Sequence, residues 1–123
     1  MSVLLIEKQT SRVTVLTLNR PERRNALTIE LMTSIADAIE AAEADESQRV
    51  LIIRGAGKAF CTGLDLNEVG NAPEKAHASA EAVARMLLAI SQPRLMTIAA
   101  VHGAAGAGGA GGRAARRWAG AAG

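Results

Sequence analysis

The sequence predicts an α/β fold on three observations. Two short aliphatic runs at the N-terminus flank a polar connection. Two later apolar runs have strand length, and two helical stretches alternate with them. The predicted order is β-β-α-β-loop-α-β, ending in a glycine-rich stretch, which is the alternation of buried strands and crossover helices.

Residues 3–8 and 12–18 are the first two strands, joined through Gln9-Thr10-Ser11 as a hairpin. In the second, Val13 and Val15 alternate with Thr14 and Thr17, the pattern of a half-buried strand. Asn19 to Asn25 is a polar loop in which Pro21 stops the strand. Thr28 is a helix N-cap and Glu30 suits the first turn. Met32, Ile35, Ile39 and Ala42 then follow at helical spacing, with an end near Asp45. Val50 to Ile53 is continuously apolar, as in a parallel strand buried on both faces. Gly55 to Gly63 is expected to be a loop, and Asp65 to Val69 a short helical turn. Pro73 opens a helix to about Gln92, with Val83, Leu87 and Ile90 on its apolar side and Pro93 as its stop. Leu95 to Val101 is a further apolar strand.

The 123 residues suffice for one small domain. With one Phe, one Trp and no Tyr, its core must be aliphatic. The net charge of +2 divides unevenly: residues 1–112 carry 11 Lys and Arg against 12 Asp and Glu, while Arg113, Arg116 and Arg117 sit in a tail without acids. The body is therefore not basic, and a nucleic-acid partner is not expected. The N-terminus lacks a basic leader, and no apolar stretch approaches the roughly 20 residues of a membrane span. A cytoplasmic protein without membrane partners is expected.

Gly106 to Gly111 spells G-x-G-x-x-G, the pattern that brings a pyrophosphate to a helix N-terminus. A dinucleotide site also needs an acid about 20 residues on, and the last acid is Glu81; the match follows from local glycine content. His77 and His102 lack ligand-spaced partners and read as structural, so no metal is expected. Cys61, the only cysteine, excludes an intramolecular disulfide. It is a small buried residue or, through nearby Lys58, a thiol of lowered pKa.

Two loops follow the predicted strands at their C-terminal ends, where open sheets place ligands: Gly57 to Asp65 and Gly103 to Gly111. Small residues leave their backbone N–H groups unobstructed. They are either converging donors for an anion or simply tight turns.

These residues resemble the crotonase, or enoyl-CoA hydratase/isomerase, family. Val15-Leu16-Thr17-Leu18-Asn19-Arg20-Pro21-Glu22-Arg23-Arg24-Asn25-Ala26-Leu27 is similar to its first signature. Ala59-Phe60-Cys61-Thr62-Gly63-Leu64-Asp65-Leu66 is similar to the second, and Ile98-Ala99-Ala100-Val101-His102-Gly103 to the third. The resemblance runs over about residues 3–111 and implies an incomplete spiral of ββα turns, only the first of them present. It implies acyl-CoA thioester substrates, coenzyme A entering only as part of the substrate, and no separate cofactor. The backbone amides of Leu64 and Gly108 would form an oxyanion hole. Arg24, Ala26, Lys58, Ala59, Phe60, Thr62, Gly63 and Asp65 would border the CoA, with the Arg24 guanidinium suited to phosphate.

Two departures stand out. Hydratases of this family place a glutamate three residues beyond the second oxyanion glycine, where this chain has Gly111. Their second glutamate and the C-terminal helices that support trimers or hexamers lie beyond residue 123. Neither water-placing carboxylate is supplied, so the chain is expected to be inactive alone, either a non-catalytic fragment or a short acyl-CoA-binding or subunit-interaction module. Residues 1–111 read as the N-terminal part of the acyl-CoA domain and 112–123 as a Gly/Ala/Arg-rich tail, disordered or out of frame. Read one nucleotide later, codons for Ala114 to Ala119 permit Leu-Leu-Ala-Ala-Gly-Leu, which resequencing would test.

Overall fold

A computed structural model describes residues 2–92, 94–102 and 104–105. Strands β1 (Leu4–Lys8) and β2 (Val13–Leu18) form the expected antiparallel hairpin, with Leu4 opposite Leu18 and Lys8 opposite Thr14. Helix α1 (Ile29–Ala44) leads into β3 (Val50–Gly55), which lies parallel to β2. Short strand β4 (Ala59–Cys61), helix α2 (Leu66–Val69) and helix α3 (Pro73–Ile90) follow. Strand β5 (Met96–Ala100) then pairs parallel to β3, completing a sheet of order β1-β2-β3-β5. Strand β6 (Ala104–Ala105) pairs parallel to β4 in a separate two-stranded sheet.

A β-β-α unit therefore recurs: β1-β2-α1, then β3-β4 with α3, then β5-β6. After the opening hairpin, each turn lays one strand in the large sheet and one in the small sheet. The stretch 55–63, expected to be loop, holds the end of β3 and all of β4. Three residues cannot display a strand period, so only their pairing with a distant segment defines them.

Helix α1 begins where its cap requires. Thr28 Oγ1 accepts from Leu31 N at 3.1 Å, and Glu68 Oε1 accepts from Ile29 N at 2.7 Å. At its other end the Arg94 guanidinium donates to the carbonyls of Ala42, Glu43, Asp45 and Gln48 at 2.6–3.1 Å. Ala42 and Glu43 lie in the last turn of the helix and Asp45 and Gln48 in the connection beyond it, and a cation there also suits the dipole. Arg85 of α3 ties the helices together through Asp37 at 2.6 Å and Glu40 at 2.9 Å, and these carboxylates raise its pKa.

The core joins Leu31, Met32, Ile35, Ile39 and Ala42 of α1 to Leu4, Leu16, Leu18, Leu51 and Ile53 of the sheet, with Met86 and Ala89 of α3 and Leu95. The sheet residues in this cluster share one face by register. The other face carries Val13, Ile52 and Ile98, only partly covered, and Met96, which is 62% exposed. The expected burial of β3 on both faces is thus corrected, because α1 and α3 pack together over one face. Strand β2 departs oppositely: Thr14, on the helix-covered face with Leu16 and Leu18, and Thr17, on the other face with Val15, are both buried. Each has a partner, Thr14 donating to Gln48 Oε1 and Thr17 Oγ1 accepting from Arg54 Nε at 3.0 Å, as burial of a hydroxyl requires.

The apolar stripe of α3 is also shifted. Ser79, Met86 and Ala89 are buried, with Ala82, Val83 and Ile90 packed beside them, while Leu87 is 49% exposed. Its N1 residue is Pro73, as expected; the expected stop, Pro93, lies outside the described residues.

Candidate functional site

Strands β2, β3 and β5 run parallel, so the segments after Leu18, Gly55 and Ala100 emerge at one edge of the sheet. The first, residues 19–27, passes through a 3-10 turn over Pro21–Arg23 into two left-handed residues, Arg24 (φ 51°) and Asn25 (φ 56°). A side chain in that region costs roughly 1–2 kcal/mol per residue, with Asn the more tolerant. The Asn25 side chain, fully buried, supplies the compensation. Its Oδ1 accepts from Arg20 N at 2.8 Å, and its Nδ2 donates to Ala56 O at 2.9 Å and Ala59 O at 2.8 Å. One amide group thus fastens the first loop to the second.

Two glycines make this approach possible. A Cβ on Gly55 would lie 2.7 Å from Ala59 O and 2.8 Å from Asn25 Nδ2. Gly57 has φ +82°, and a Cβ there would lie 2.8 Å from Pro21 Cβ. His102, at the end of the third segment, donates from Nε2 to Gly57 O at 2.8 Å, and its own carbonyl accepts from Phe60 N at 3.1 Å. It is structural, as expected, but exposed rather than buried.

Beyond β4 the second loop runs alongside residue 27. Leu27 N donates to Gly63 O at 2.8 Å, and Asp65 N donates to Leu27 O at 2.9 Å. This is a one-residue parallel bridge between Leu27 and Leu64. In such a bridge, Leu27 uses both its backbone groups on residues 63 and 65, so Leu64 turns its N–H and C=O the opposite way. Among the described residues no acceptor meets the Leu64 N–H. Leu64 itself is 43% exposed.

Around this amide the candidate residues fall into distinct surroundings. Arg24 and Lys58 are exposed, on segments brought together where Gly57 abuts Pro21. Thr62 Oγ1 donates to Arg24 O at 3.3 Å. Ala26 is half-buried and its carbonyl accepts from Arg20 Nη1 at 2.5 Å. Ala59 is buried, and Phe60 is partly buried against the core. Gly63, at φ 98°, supplies the carbonyl of the bridge. Asp65 caps α2 through Oδ1, 3.0 Å from Asn67 N, and meets Arg20 Nη2 through Oδ2 at 3.3 Å. Gly108 and Gly111, like the G-x-G-x-x-G stretch and the tail, lie outside the described residues.

The reading of Cys61 as an activated thiol is overturned. Burial pushes its pKa up, only partly offset by the Gly63 N–H. His77 pairs with Glu81 on the exposed face of α3 at 2.7 Å. Sequence reasoning missed Arg20, Asn25 and Glu68, all polar residues that a loop or helix surface would normally present to water. The left-handed tolerance of Asn at the end of a polar loop was the available signal for Asn25.

Comparison with known proteins agrees with this architecture. The sequence profile of the enoyl-CoA hydratase/isomerase family matches residues 8–112. A probable enoyl-CoA hydratase of Mycobacterium tuberculosis is 43% identical over 99 residues, covering 76% of this chain and 37% of that protein. A peroxisomal Δ(3,5)-Δ(2,4)-dienoyl-CoA isomerase of Arabidopsis thaliana is 33% identical over 114 residues, covering 81% of this chain and 41% of its own length. The crystal structure of an enoyl-CoA hydratase from Mycobacterium smegmatis superposes with a TM-score of 0.75 at 35% identity, over 84% of this chain and 41% of that one. The chain thus spans about two-fifths of the length of these relatives, matching the N-terminal portion of the crotonase fold. With profile, identity and fold in agreement, the chain belongs to the enoyl-CoA hydratase/isomerase (crotonase) family.

Proposed function

We propose that this chain binds an acyl-CoA thioester and polarises its carbonyl. The observation that carries the reading is the Leu64 N–H, turned away from Leu27 and without an acceptor among the described residues. A fixed donor aimed where negative charge develops stabilises an oxyanion or enolate without having to reorganise. Gly108 is the proposed second donor, from its place in the small residues that follow the third signature. Exposed Arg24 and Lys58 supply cationic groups for the phosphates of coenzyme A, and Ala26, Thr62, Gly63 and Asp65 shape the loops between them. The relatives' names, hydratase and isomerase, support an acyl-CoA substrate. The single, partly buried thiol suits a reducing compartment, which we take to be the cytoplasm.

Binding does not imply hydration. With Gly111 where a hydratase has its first glutamate, this chain lacks the carboxylate that would place and activate water there. Calorimetric titration with crotonyl-CoA tests the first statement, and loss of the enoyl thioester's ultraviolet absorbance tests the second. Saturable binding without turnover is expected. Absence of binding contradicts the proposal, and steady hydration contradicts its non-catalytic part.

A further inference from the structure

We propose that Arg20 is a positioning residue for the Leu64 amide, latching the bridge that aims it. This rests on the function proposed above. Arg20 reaches both sides of the Leu27–Leu64 bridge with one guanidinium. Nη1 donates to the carbonyl of Ala26, the residue before Leu27, and Nη2 pairs with the Asp65 carboxylate, the residue after Leu64. The two side chains are only 16% and 13% exposed, so water screens the pair far less than a surface pair. Its own backbone is fixed by Asn25: Arg20 N donates to Asn25 Oδ1, and Asn25 N donates to Arg20 O at 2.9 Å.

The bridge needs such a latch. It consists of two hydrogen bonds between single residues outside either sheet, with Leu64 itself exposed. A flexible pair of loops would lose these bonds to water easily. The guanidinium's planar fork spans both strands at once, which the single ammonium of a lysine cannot reproduce. If residues 26–27 and 63–65 separate, the Leu64 N–H loses its fixed direction while the exposed Arg24 and Lys58 side chains remain. The latch therefore acts on the thioester carbonyl and not on the CoA moiety.

Two variants test this, Arg20→Met and Asp65→Asn, the second keeping an oxygen for the α2 cap while removing the charge. Amide hydrogen exchange on the full chain, without ligand, reads the bridge. Protection of the Leu27 and Asp65 amides is expected to fall by about tenfold or more in both variants, with the β2–β3 amides unchanged. The infrared carbonyl frequency of bound crotonyl-CoA, carbon-13 labelled at the thioester, reads the consequence. It should lie below its solution value in the wild-type protein and return toward it in both variants, with the affinity for free coenzyme A unchanged in Arg20→Met. Unchanged protection together with an unchanged carbonyl shift in either folded variant overturns the proposal, as does loss of coenzyme A affinity in Arg20→Met in parallel with the carbonyl shift. Absence of any wild-type carbonyl shift overturns the function proposed above instead, and the ligand-free exchange measurement still decides the latch.

Discussion

Residue 45 shows how much a single side chain organises at the edge of the fold. Asp45 caps the turn after α1, accepting from Ser47 N at 3.0 Å and Ser47 Oγ at 2.6 Å, and pairs with Lys8 at 3.1 Å. The Ser47 hydrogen bonds, and then Lys8, lower its pKa from 3.8 to about 2. Because the folded value lies below the unfolded one, this stabilisation is complete above pH 4 or so and is lost as pH falls toward 2. Asp45→Asn should therefore lower the melting temperature at neutral pH and flatten its decline between those values; an unchanged acid limb contradicts the assignment. Gly57 makes a second prediction. Its left-handed backbone and contact with Pro21 mean that Gly57→Ala should cost about 1–3 kcal/mol in denaturant unfolding. At this scale the sequence was only partly legible. Thr28 announced its capping role because N-caps are local, and Thr28 Oγ1 does accept from Leu31 N. Asn25 looked like any polar loop residue, since its three partners lie in segments up to 34 residues away.

Among the elements, helix α1 was legible almost to the residue because its cap, period and acidic first turn all agree. Its C-terminus depends on a residue from another element. Arg94 lies next to β5 in sequence yet closes the last turn of α1 and the connection to β3. Arg94→Ala should cost about 1–3 kcal/mol, as expected for lost hydrogen bonds to a charged donor, and should raise amide exchange at residues 46–49 before the helix interior. A global loss of protection with no local excess would contradict this capping role. Strand β4 was not legible, since a three-residue strand gains its identity from pairing with Ala104 and Ala105. For α3 the periodicity identified the helix but placed Leu87 on the wrong side. Small residues at 79, 82 and 89 let the helix approach α1 closely, so the seam follows them and not the larger leucine.

For the molecule as a whole, three short signatures separated in sequence converge at the C-terminal ends of the parallel strands β2, β3 and β5. Local pattern could not show that convergence; family resemblance supplied it, and the hydrogen bonds joining residues 20–27, 56–65 and 102 give it physical content. The partly covered second face of the sheet was equally illegible, because a continuous apolar run looks the same whether one face or two are packed. The chain spans about two-fifths of its relatives and holds the first two signatures within its described residues. That part contains the donor on which the proposed chemistry rests. The most direct measurement is nuclear magnetic resonance of protein labelled with nitrogen-15 leucine, titrated with crotonyl-CoA and, separately, with a CoA thioether lacking the thioester carbonyl. The Leu64 amide proton should move downfield with the thioester and stay near its free position with the thioether. An equal shift with both ligands, or none with either, would contradict the assignment of this amide to the thioester oxygen.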